Sequence, residues 1–197
     1  NGKAALLGCR GYSEQPVKRL LQEEGISRLS AGLLLSEQYN EAGNAGALLE
    51  DFPMDLLFIP GAESSNGKLL NNLSKTENPL FFENSCGAQW MECLQVEAAG
   101  GFTRVLCRGS RLLFWPAKAE REQLPSGWEV CDIVFLERPE DGANAVEAAV
   151  GILCADGRTQ IQDADRWKTV SFPLVGTDGG TIELCFMEDR TIQLRRK

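Results

Sequence analysis

The hydrophobic rhythm of the chain changes near its midpoint. In the first half, short apolar runs of strand length alternate with segments whose apolar residues recur at helical spacing. Lys3-Ala4-Ala5-Leu6-Leu7-Gly8 predicts a buried strand, and Gly8–Tyr12 the turn that follows it. Ser13 is placed to cap a helix that takes Pro16 in its first turn, shows Val17, Leu20 and Leu21 on one face, and ends at Gly25. Leu29–Leu35 is a second apolar run, Asn44–Glu50 a short helical segment, and Asp55–Ile59 a strong buried strand closed by Pro60-Gly61. A helix over Asn66–Ser74 and a strand over Pro79–Glu83 follow, and the residues after Cys86 read as a new helix carrying Trp90. Strands alternating with helices predict an α/β fold, a parallel sheet flanked by helices in the flavodoxin-like manner.

The second half reads as strand after strand: Phe102–Cys107, Arg111–Trp115, Trp128–Leu136, Val146–Ala155, Trp167–Val175, Thr181–Met187 and Thr191–Leu194. Asp156-Gly157 and Asp178-Gly179-Gly180 have the composition of hairpin turns. The expected organisation is a single domain over 1–197, with an α/β core over 1–98 and a β-rich, antiparallel extension over 99–197.

Composition narrows the function classes. A formal charge of −8 argues against nucleic acid as a partner, because phosphate backbones need a positive surface. No apolar run approaches the roughly 20 residues of a membrane-spanning helix, so no membrane partner is expected. The seven cysteines are odd in number and form no CxxC pair, and several sit in apolar runs. They read as reduced core residues of a cytoplasmic protein. With no CxxC and no histidine anywhere, neither a zinc site nor another metal is expected, and no cofactor is implied.

The candidate chemistry centres on Cys86, in the run Phe82-Glu83-Asn84-Ser85-Cys86-Gly87-Ala88. A strand that ends in small residues and gives way to a helix is the layout of a nucleophile elbow, and a helix N-terminus favours a thiolate. Backbone amides of Gly61 or Ala62 and of Gly87 could line an oxyanion hole, since small residues allow close approach. Arg10, Gly11, Glu14, Glu63 and Glu83 complete the pocket candidates. Each of these has a plainer reading: Cys86 as a buried strand-end cysteine, Arg10 in a surface ion pair, the acids as solvated side chains. The stretch Gly61–Leu69 fails as a phosphate loop, because the glycine spacing is one residue too long and Leu69 stands where a Mg²⁺-binding hydroxyl belongs.

Pro60-Gly61-Ala62, Asn84-Ser85-Cys86-Gly87-Ala88, the glycine turn Gly8–Gly11, Arg111-Leu112-Leu113-Phe114-Trp115-Pro116 and the late segment Thr177–Cys185 resemble, in the same order, the class I glutamine amidotransferase-like superfamily. Within it they are most similar to the amidotransferase-like N-terminal domain of biotin–protein ligases. The resemblance implies a thioester-forming Cys-His-Glu triad, yet this chain has no histidine to serve as base. The biotin-adenylating Gly-Arg-Gly loop is missing as well. The reading is therefore an amidotransferase-like domain without triad glutaminase activity, binding a small molecule or a partner. The alternatives are a hydrolase or redox enzyme using Cys86 alone, and a protein-interaction scaffold or homo-oligomer.

Overall fold

The structure is a computed structural model that describes residues 4–8, 13–34, 45–60, 79–82, 85–91, 94–115, 120–136, 145–154, 170–177 and 182–196. The chain forms two compact units, Asn1–Cys86 and Gly87–Lys197.

In the first unit, strands β1 (Ala5–Leu7), β2 (Ala31–Leu33), β3 (Leu57–Pro60) and β4 (Pro79–Phe82) form a sheet in the order β1-β2-β3-β4, every pair parallel. Helix α1 (Gln15–Glu23) has proline in its first turn, as Pro16 required. It closes in a Schellman arrangement: Gly25 N–H donates to Gln22 O at 3.0 Å and Ile26 N–H to Leu21 O at 2.8 Å, with Gly25 left-handed at φ 67°. Helix α2 (Ala45–Asp51) buries Ala45, Leu48 and Leu49. These join Leu21, Leu29, Leu34, Phe52, Met54 and Leu57 in one core, against which Val17 and Ile26 pack. Gly32 in β2 leaves room for the tip of the Met54 side chain, which a β-carbon there would force to shift.

The second unit holds a seven-stranded sheet in the order β11-β10-β9-β8-β7-β6-β5. Its strands are β5 (Ser85–Met91), β6 (Leu94–Ala99), β7 (Phe102–Cys107), β8 (Ser110–Trp115), β9 (Val130–Leu136), β10 (Glu147–Leu153) and β11 (Leu174–Gly176). A separate hairpin pairs β12 (Ile182–Phe186) with β13 (Ile192–Arg196). Tight hairpins join β6 to β7 and β7 to β8. Both residues of the Gly100-Gly101 connection have positive φ, 59° and 84°, as the turn that matches strand twist demands. From β8 onward the strands run parallel, through β9 and β10 to β11. The core of this unit gathers Phe102, Leu113, Trp115, Trp128, Val134, Leu136, Leu153 and Phe172.

Arg104 ties three segments of this unit together. Its Nε donates to Glu97 Oε2 at 2.7 Å across the β6–β7 pair, its Nη1 donates to Gly127 O at 3.2 Å, and its guanidinium lies 4.6 Å from the centre of the Trp128 ring. The ion pair is about four-fifths buried, so it is far less screened than a surface pair. Arg104→Ala is expected to lower unfolding stability by about 1–3 kcal/mol, the scale of a charge-assisted hydrogen bond plus a cation–π contact. Arg104→Lys should recover less than half of that, because an ammonium cannot both fork onto Glu97 and stack on Trp128. Urea denaturation of the two variants would check the order.

Three expectations need correction. The fold is not a flavodoxin-like sheet clothed in helices; it is mostly β and steps in a solenoid-like manner, with two α-helices among the described residues. The order β1-β2-β3-β4 runs one way only, so the first sheet lacks the reversal at which doubly wound folds make their ligand crevice. The segment after Cys86 is not a helix: Ser85–Met91 and Leu94–Ala99 are strands. Leu94, Val96 and Ala98 alternate with Gln95, Glu97 and Ala99 in burial, a period of two that decides for strand. The β-rich half is also not wholly antiparallel. Ile133-Val134-Phe135-Leu136 is a continuous apolar run, the signature of a strand covered on both faces in a parallel array. The connection 116–129 is long enough for the crossover that a parallel pair requires. The helix expected over Asn66–Ser74 and the turns at Asp156-Gly157 and Asp178-Gly179-Gly180 lie outside the described residues.

Candidate functional site

Cys86 is the second residue of strand β5, and Gly87 the third. The helix that would have followed the cysteine is therefore missing, and with it the aligned peptide dipoles that were to favour a thiolate. Trp90 lies on the same strand. An elbow needs a strand to end at the nucleophile, whereas here a strand begins just before it.

Of the other candidates, Glu14 is described. It stands at the start of α1, 3.8 Å from Lys18, which in turn meets Asp51 at 2.7 Å. A hydrogen bond from its own backbone, then one from Gln15, holds its carboxyl below the usual range. This is the behaviour of an ionised surface acid at a helix start. Arg10, Gly11, Gly61, Ala62, Glu63 and Glu83 lie outside the described residues.

The parallel half of the second sheet offers the other place to look. Trp115, Leu136, Leu153 and Gly176 end four adjacent parallel strands on the same edge. Trp115 is 2% exposed, its indole N–H has no hydrogen-bond partner, and its ring meets Phe102 edge-on at 4.9 Å. Asp132 accepts the Arg111 backbone N–H at 2.6 Å, an engagement that braces β9 against β8. Beside it, burial first and the Asp132 charge second push the Cys131 thiol up to about 12. Such a sulfur stays protonated at neutral pH, which disfavours it as a nucleophile. Cys107, Cys154 and Cys185 are likewise free thiols. Among the described residues no three histidine, cysteine, aspartate or glutamate side chains converge as metal ligands would.

No protein-family model matches the chain, and no curated protein matches it. Among solved structures, it is similar to a crystal structure described as that of "a New Diphosphatase from the PhnP Family". The TM-score is 0.55 at 11% identity, over 89% of this chain and 78% of that one. That neighbour has a metallo-β-lactamase fold. At so low an identity the likeness speaks for architecture alone, but it speaks clearly against the amidotransferase-like superfamily and the biotin–protein ligase domain. The motifs that suggested them are short glycine turns and strand ends that many α/β and mixed sheets share. The reading as an amidotransferase-like domain falls with the elbow, and the alternatives built on Cys86 or on a scaffold gain nothing in its place. What this chain shares with that diphosphatase is the course of the fold over 89% of its length.

Proposed function

We propose that the chain is a non-hydrolytic protein of metallo-β-lactamase-like architecture, one that keeps the frame of a diphosphatase without a hydrolytic metal centre. The observation that carries this is the complete lack of histidine in 197 residues. A catalytic zinc needs protein ligands that leave one position open, and imidazole is its commonest donor because it binds the metal without adding charge. The metal's task in such a site is to bring the pKa of a bound water down toward neutrality. Carboxylates are the remaining hard donors; of the described ones, Glu97 is engaged by Arg104, Asp132 by the Arg111 amide and Asp51 by Lys18, and no three of them converge. The donor set does not fit the metal that the fold's name implies, so no hydrolytic step is assigned to this chain.

No helix among the described residues is long and apolar enough to cross a membrane. Cys107, Cys131, Cys154 and Cys185 stand outside any disulfide, which supports a reducing, cytoplasmic setting.

Elemental analysis tests the reading directly. Purified protein incubated with zinc or manganese and then dialysed should retain far less than one metal per chain. It should hydrolyse neither pyrophosphate nor bis(p-nitrophenyl) phosphate above the buffer rate. Stoichiometric metal together with turnover that a chelator abolishes would overturn the proposal.

A further inference from the structure

We draw no further inference here: the strongest candidate, the unpartnered indole N–H of buried Trp115 at the carboxyl end of β8, carries nothing, because the side chains that share its core, Phe102, Leu136 and Leu153 among them, are apolar and nothing among the described residues shows what would face it.

Discussion

Phe102→Ala is expected to cost the second unit about 3–5 kcal/mol, the largest loss from any single truncation of its core. Phe102 is wholly buried, opens β7, and presents its ring edge-on to Trp115 at an interplanar angle of 83°. Three terms add in one direction: lost transfer energy, the void left behind, and the aromatic contact itself. Water will not soften the loss. A buried water needs at least two polar partners, and Trp115 Nε1 is the one buried side-chain polar atom among the described residues that lacks a partner. The readout is clean because Trp90, Trp115, Trp128 and Trp167 all lie in the unit Gly87–Lys197, so tryptophan fluorescence in urea reports that unit alone. A loss under about 1 kcal/mol with an unchanged urea slope would mean that this ring is not the centre of the core.

What the amino-acid pattern revealed, and what it concealed, follows from the range of the interactions involved. Helix α1 could be read almost to the residue because its determinants are local: Pro16 fixes its first turn, Val17 and Leu21 supply its face, and Gly25 supplies the left-handed stop. Strands β7 and β8 were equally visible, since alternation and turn chemistry are short-range properties. Pairing direction is not. Whether β9 lies parallel or antiparallel to β8 depends on where the connection 116–129 travels, and no residue in β9 encodes that path. The false helix after Cys86 has a different origin. Small residues beside a cysteine have the composition of an elbow, but the alternation of Leu94, Val96 and Ala98 is the stronger physical signal. The site fared likewise. Cys86 and the glycines carry a motif's composition without its geometry, because the element that follows a cysteine is decided by long-range strand pairing.

Gly100→Ala should be the most damaging of the glycine substitutions in the hairpin series, at about 2–5 kcal/mol. Two separate penalties act there. The first is conformational: φ is 59°, and an L-residue in that region costs roughly 1–2 kcal/mol. The second is steric, because a β-carbon at 100 would press into the backbone carbonyl of Gln123, and a main-chain atom cannot swing aside as a side-chain tip can. Overpacking against rigid structure adds about 1–3 kcal/mol. The obstacle is itself held in place, since Gln123 ends the 3₁₀ turn Arg121–Gln123 and its side chain accepts the Glu120 N–H at 3.1 Å. Gly101 provides the internal control, with φ 84° and open space where its β-carbon would stand. Gly101→Ala should therefore show the conformational penalty alone, and Gly101→Asn less still, because asparagine tolerates the left-handed region. The gap between the alanine variants isolates the contact between the β6–β7 turn and the 3₁₀ segment. Equal losses at the two positions, measured by urea denaturation, would show that this hairpin does not sit against Gln123, and the packing of residues 120–124 over the turn would have to be redrawn.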